Sequence, residues 1–136
     1  MNQKHGFTII ELVAVIVILG LIALITTPIV VNVIGKSSLD TAKNSGEGLL
    51  KAAKVYHSKV MLESATGSSV TFTFPNGIDG LELGGDVPTS GTLVINADGT
   101  VKMAVIYESK YCVTKALTDE NVTVTENTSS CTMPTT

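Results

Sequence analysis

Gly6-Phe7-Thr8-Ile9-Ile10-Glu11-Leu12-Val13-Ala14-Val15-Ile16-Val17-Ile18-Leu19-Gly20 opens the longest apolar stretch of this 136-residue chain, which runs on to Gly35. From Phe7 to Gly35, 21 of 29 residues are apolar, against 38 of 101 in residues 36–136. The positive mean hydropathy therefore comes from one end of the chain. Between Glu11 and Lys36 lie 24 consecutive uncharged residues. As an α-helix they rise about 36 Å, more than the roughly 30 Å of bilayer hydrocarbon. The stretch is apolar all round rather than along one stripe, which suits lipid better than a half-buried soluble helix. Pro28 lies inside it and predicts a kink, which membrane helices tolerate. Lys4 precedes the stretch and Lys36, Lys43 and Lys51 follow it, so the positive-inside rule leaves the orientation open.

Three kinds of N-terminus carry such a run. A cleaved secretory signal has a short apolar core followed by a small-residue cleavage site. Here the run is too long, and no such site follows it before Ser37. A plain single-pass anchor accounts for the run but not for Glu11. A carboxylate near one end of a hydrophobic span costs a few kcal/mol unless it is paired or close to the interface. The third kind accounts for both. Met1-Asn2-Gln3-Lys4-His5-Gly6 is a short positive leader ending in glycine, and Phe7-Thr8-Ile9-Ile10-Glu11 follows it in register with the apolar run. This arrangement closely resembles, over residues 4–35, the class III signal of type IV pilins and pseudopilins. Pro28 resembles the proline often found near the middle of the pilin N-terminal helix.

The resemblance implies a set of roles. A membrane-embedded prepilin peptidase would cut between Gly6 and Phe7 and methylate the new amine of Phe7. The leader would stay in the cytoplasm and the rest would face outward, which resolves the orientation. The chain would first be a single-pass protein of the cytoplasmic membrane. It would then enter an extracellular pilus, or a short fibre spanning the periplasm or cell wall. Loss of Lys4 with the leader takes the formal side-chain charge from −3 to −4. Glu11 would pair with the Phe7 amine of a neighbouring subunit. An ammonium and a carboxylate are each costly in a low-dielectric bundle, and pairing offsets part of both costs. An unpaired Glu11 then favours subunits docked at the proper axial offset; the plainer alternative is a Glu11 that snorkels to the interface. The implied partners are further subunits in a homo- or hetero-polymeric filament, the prepilin peptidase, a pilus platform protein with its assembly ATPase, and the membrane.

The helical pattern does not stop at Gly35. Leu39, Ala42, Gly46, Leu49, Ala53, Tyr56 and Val60 are spaced by three and four, one face of an amphipathic helix. Lys43, Glu47, Lys51, Lys54 and Ser58 fall mostly on the other faces. Glu47 with Lys51 and Lys59 with Glu63 are i,i+4 pairs of opposite charge, worth a few tenths of a kcal/mol each. One helix is predicted from Thr8 to Leu62. Gly35, Gly46 and Gly48 each cost it about 1 kcal/mol against Ala. Either they let the helix bend or melt within a filament, or they admit a close neighbour. Ser64–Ser69 ends the helix. Beyond it Val70-Thr71-Phe72-Thr73-Phe74 alternates as a strand. Pro75–Gly91, with five Gly and two Pro, reads as loop. Thr92–Ile95 and Thr100–Tyr107 flank a hairpin turn at Asn96-Ala97-Asp98-Gly99. Tyr111–Thr114 and Val122–Thr125 are two further strands, and the tail from Asn127 is irregular. The predicted fold is α+β and pilin-like: a long N-terminal helix, transmembrane in its N-terminal half, with a small antiparallel β-sheet packed on its C-terminal half. The expected segments are a leader at 1–6, a transmembrane or filament-core helix at 7–35, an amphipathic half at 36–65, and a β-sheet head at 66–136.

Nine Lys, no Arg and twelve acids give a net charge of −3, which argues against a dedicated nucleic-acid binder. Lys51, Lys54 and Lys59 form a modest basic face, but Glu47 and Glu63 beside it favour a solvated helix surface. Nucleic acid enters as a partner only if the chain is a competence pilin. Cys112 and Cys131 are the only thiols, too few for a Cys-based structural zinc site. Outside the cytoplasm they can oxidise. Many pilins carry a C-terminal disulfide-bounded segment, and the positions here resemble it; a buried free pair is the alternative. Such a bond would close 20 residues, worth about 3 kcal/mol in the loop-entropy model. Asp79, Glu82 and Asp86 sit in the Gly-rich loop, and oxygen-rich loops suit calcium. They follow no ligand spacing, so the expectation is no cofactor and no metal, with calcium in the 77–86 loop as the alternative. His57, near Tyr56 on the helix, is assigned no chemistry. Asn121-Val122-Thr123 and Asn127-Thr128-Ser129 fit the glycosylation sequon, which arises easily in a Thr-rich chain.

No base–nucleophile pair and no metal-ligand set is evident, so no enzymatic activity is expected. The expected function is structural: a subunit of a type IV pilus-like filament, polymerised through its N-terminal helix. The alternatives are a pseudopilin of a type II secretion or competence DNA-uptake machine, and a membrane-anchored extracytoplasmic domain that does not polymerise.

Overall fold

The computed structural model describes residues 6–64, 67–126 and 128–135, without the side chains of residues 26–28. The chain divides into two compact units, Met1–Ser37 and Ser38–Thr136. The helix α1 (Ile9–Glu63) contributes to both. It is followed by β1 (Val70–Phe74), β2 (Ser90–Ile95), β3 (Val101–Tyr107), β4 (Tyr111–Lys115) and β5 (Thr123–Thr125). This is the α+β, pilin-like arrangement, a long N-terminal helix and then a small antiparallel sheet.

In the first unit α1 begins where Thr8 caps it. The Thr8 hydroxyl accepts from the Glu11 N–H at 3.3 Å, and the Thr8 carbonyl accepts from the Leu12 N–H at 3.2 Å. These bonds satisfy amide donors that the first turn otherwise leaves unpaired. The apolar side chains from Ile9 to Ile25 and from Ile29 to Ile34 are exposed on every face.

In the second unit the strands form one meander, β1-β2-β3-β4-β5, with every neighbouring pair antiparallel. Alternation decides which face is inside. Phe72 and Phe74 of β1 are buried, and so are Leu93 and Ile95 of β2, Val101, Met103, Val105 and Tyr107 of β3, and Tyr111 and Val113 of β4. The face of α1 read from the spacing packs on them through Ala42, Leu49 and Ala53, with Leu39 and Tyr56 at its margins. Tyr56 meets Phe72 edge to face, with ring centroids 5.1 Å apart. At Gly46 a Cβ would stand 2.6 Å from Cγ1 of Val113, so there the glycine admits a close strand. Gly35 and Gly48 face open space.

The structure adds to the prediction at β2, in the Gly-rich loop and on α1. β2 starts at Ser90, inside the stretch read as loop, because Gly91 pairs with Val105 where a Cβ would collide with the Ala104 carbonyl. The Gly-rich stretch itself is irregular but anchored, with Leu81 and Pro88 buried. Among the described residues neither Glu47–Lys51 nor Lys59–Glu63 closes into an ion pair. Fixing two long exposed side chains costs about as much entropy as the contact returns in water.

Candidate functional site

The residues singled out by the sequence fall into two groups, one at the start of α1 in the first unit and one at β4 in the second. At the first, Gly6 and Phe7 precede the helix as exposed, irregular chain; Phe7 is 83% exposed and nothing lies within 4 Å of a Cβ built on Gly6. Glu11 occupies the first turn and is exposed. Thr8 belongs to the motif read from the sequence, but its role as a helix cap was not read there. Thr8-Ile9-Ile10-Glu11 has the spacing of a capping box, and its threonine half is formed. A carboxylate there also meets the positive end of the helix dipole. Thr8 thus fixes where the helix begins, three residues before Glu11 and one after the Gly6–Phe7 junction. That junction is left as accessible backbone, the form in which a peptidase takes its substrate.

Among the described residues no single helix is long and apolar enough to cross a membrane. The stretches Ile9–Ile25 and Ile29–Glu63 pass that test by length and composition only as a bent pair. The expected span at 7–35 is thus two stretches that meet around residues 26–28, where a kink at Pro28 is expected and the side chains are not described. Residues 1–5 of the leader lie outside the described residues.

In the second group Cys112 and Cys131 are joined, with Cα atoms 5.6 Å apart, and no free thiol is left. Cys112 lies in β4 opposite Ile106, on the face of the sheet turned away from α1, and is itself buried. The bond therefore ties the tail to that outer face. Among the described residues the tail forms no strand.

The remaining candidates do not converge. Asp79, Glu82 and Asp86 are all exposed, and no group of three or more metal-ligating side chains gathers among the described residues. His57 lies 3.2 Å through Nε2 from the Ala97 carbonyl and packs beside Gly99, joining α1 to the β2–β3 turn. Asn127 of the second sequon lies outside the described residues.

Two buried groups escaped the sequence reading. Lys115 follows Tyr111 and Val113 on the inward face of β4 and is 6% exposed. Its Nζ donates to the carbonyls of Val101 at 2.9 Å and Ala116 at 3.0 Å. Burial holds this amine below the ordinary lysine range, and Lys54 adds to the effect. Strict alternation along Tyr111-Cys112-Val113-Thr114-Lys115 was the available signal. The Tyr107 hydroxyl is buried and has no hydrogen-bond partner among the described residues. Burial, and then the nearby Asp86 carboxylate, push its phenol well above the usual range.

Residues 1–27 match the family model of the prokaryotic N-terminal methylation motif. The chain therefore carries the class III signal of type IV pilins and pseudopilins. No curated protein and no solved structure matches the chain. The motif supports a type IV pilin or pseudopilin precursor that is processed by prepilin peptidase, and it implies a membrane-anchored N-terminus.

Proposed function

We propose that this chain is a structural subunit of a type IV pilus-like filament. Prepilin peptidase cuts it after Gly6 and methylates Phe7, and the subunit polymerises through α1. The observation that carries this reading is the exposed apolar side chains of Ile9–Ile25 and Ile29–Ile34, interrupted by one carboxylate at Glu11. A surface apolar on every side calls for lipid before assembly and for neighbouring helices afterwards. Glu11 gives those neighbours a register, because a partly desolvated carboxylate is stabilised only where a cation reaches it, and the Phe7 amine of the next subunit supplies one. The Cys112–Cys131 bond favours a head displayed outside the cytoplasm. No catalytic chemistry is assigned to the chain; it is the substrate of its peptidase. The platform protein and the assembly ATPase act on it from the membrane and the cytoplasm.

Two measurements test the reading. Intact mass of the membrane form should show loss of residues 1–6 and the gain of one methyl group; a retained leader would sink it. Glu11→Ala should enter the membrane at normal yield and lower filament yield by at least about tenfold, the equivalent of one lost charge-assisted contact of about 1.4 kcal/mol or more. Normal filament yield from that variant removes Glu11 from assembly.

A further inference from the structure

Charge is segregated in the head. Between Lys43 and Lys59 four lysines face one acid, Glu47, whereas from Val60 onward nine acids face three lysines. The lysines of α1 border two separate concavities. The first, of about 470 Å³, is lined by Gly48, Lys51, Val55, Lys59, Gly80 and Gly84, with Glu82 also at its wall. It lies between α1 and the loop after β1. Its floor is apolar and open, for Val55 is 64% exposed. The second holds Lys54 with Leu117, Asp119 and Glu120 of the β4–β5 loop and the buried Lys115. Lys54 lies about 60° around the helix from Lys51 and about 140° from Lys59, so the two concavities open on different sides of α1. The strand order likewise puts β1 and β5 at opposite edges of the sheet. A basic groove therefore marks one side of the head, and an acidic loop with an exposed leucine marks another.

We infer that heads meet head to tail. The β4–β5 loop of one copy places Leu117 over Val55 of a second copy, with Asp119 and Glu120 against Lys51 and Lys59. The fit is of shape and of charge. The groove is deepened by the missing side chains of Gly48, Gly80 and Gly84, and Leu117 is a partly exposed apolar residue of suitable size. Two ammonium groups outnumber the one carboxylate of Glu82 in the groove. Two carboxylates stand on the loop; Asp119 already feels the Lys115 ammonium of its own head, and among the described residues Lys51, Lys59 and Glu120 close no ion pair within it. Because the two surfaces differ, the contact is heterologous. A heterologous contact that does not close a ring extends without limit. The inference rests on the filament reading above. Heads already tethered through α1 meet at high effective concentration, so a small polar contact suffices to fix their order.

Cysteine pairing in assembled filaments tests this. Val55 and Leu117 are both exposed, so V55C and L117C leave the core alone. Oxidation of filaments carrying both changes should give a ladder of covalent multimers of this chain, and filaments carrying either change alone should stay monomeric. Monomers from the double variant overturn the contact. So do dimers from V55C alone, which mean a two-fold contact, and a cross-linked band that is no multiple of this chain, which means another occupant. Charge reversal gives a second readout. K51E with K59E should lower filament yield about tenfold, as like charges then face each other, and adding D119K with E120K to the same chain should restore it. Absence of rescue overturns the proposal. If the wild-type chain forms no filament, the filament reading itself fails. If it forms filaments without the ladder, only the head contact fails.

Discussion

At the Tyr107 side chain the fold carries a cost that its packing does not relieve. The ring fills the core beside the start of the β3–β4 turn, yet its hydroxyl finds no partner among the described residues. A buried hydroxyl without a hydrogen bond loses its hydration and gains nothing in return. Tyr107→Phe keeps the ring and removes the orphan, so chemical denaturation should report about 1 kcal/mol of added stability. A loss of stability would mean that the hydroxyl is bonded in solution. Asp98 shows the opposite case. One of its oxygens accepts from the Thr100 hydroxyl at 2.6 Å and from the Thr100 N–H at 2.9 Å. The side-chain bond first, and the backbone bond second, hold this carboxyl below its ordinary value of 3.8. A depressed carboxyl favours the fold above its unfolded value, and that contribution is lost as pH falls through the lower folded one. Wild-type should therefore exceed Asp98→Asn in stability near neutrality. The gap should narrow as urea titrations are moved below pH 3.8. A gap that is constant with pH would show that the charge on Asp98 plays no part.

The elements were legible because each has a dominant period. α1 starts one residue later and ends one residue later than its spacing predicts, and β1 falls on its predicted bounds. What escaped the sequence were places where tertiary contact overrides a local signal. Gly91 signals a loop but serves a strand pairing. Lys115 signals an exposed position, but β4 alternation carries it inward. Residues Glu108 and Ser109 both take positive φ, 52° and 56°, in the β3–β4 turn without being glycine. The glycines of α1 were legible as weak points, but only the structure tells them apart. Gly46→Ala gains about 1 kcal/mol of helix propensity and meets Val113 at a distance real Cβ atoms do not adopt. Overpacking a core of this kind costs about 1–3 kcal/mol, so a net loss on the order of 1 kcal/mol is expected. Gly48→Ala meets nothing and should gain about 1 kcal/mol. Thermal denaturation in one detergent ranks both against wild-type. Equal effects would place the role of both glycines in helix bending.

Over the whole molecule, the two units place opposite demands on their surroundings. The first exposes its apolar side chains and needs lipid or other helices. The second buries its own core, from Leu49 and Ala53 of α1 to Val113 of β4, and contains the only covalent cross-link. The sequence read this division from the placement of apolar residues, and the N-terminal motif implies a membrane-anchored N-terminus for the first unit. The sequence could not read how much the head depends on its bond. A small single core leaves about 5–15 kcal/mol in all. The Cys112–Cys131 bond, which spans 19 positions, accounts for about 3 kcal/mol of that if it acts by limiting the unfolded chain. At roughly 4–8 °C per kcal/mol for a domain of this size, Cys112→Ser with Cys131→Ser should lower the melting temperature of the 38–136 fragment by about 10–25 °C. The fragment itself should be soluble and unfold cooperatively, as its core is complete without residues 1–37. Unfolding followed in parallel with the oxidised, reduced and double-Ser forms checks this. If the reduced and double-Ser forms melt with the oxidised one, the bond does not stabilise the head. In that case the tail it ties down is held by its own contacts on the outer face of β3 and β4.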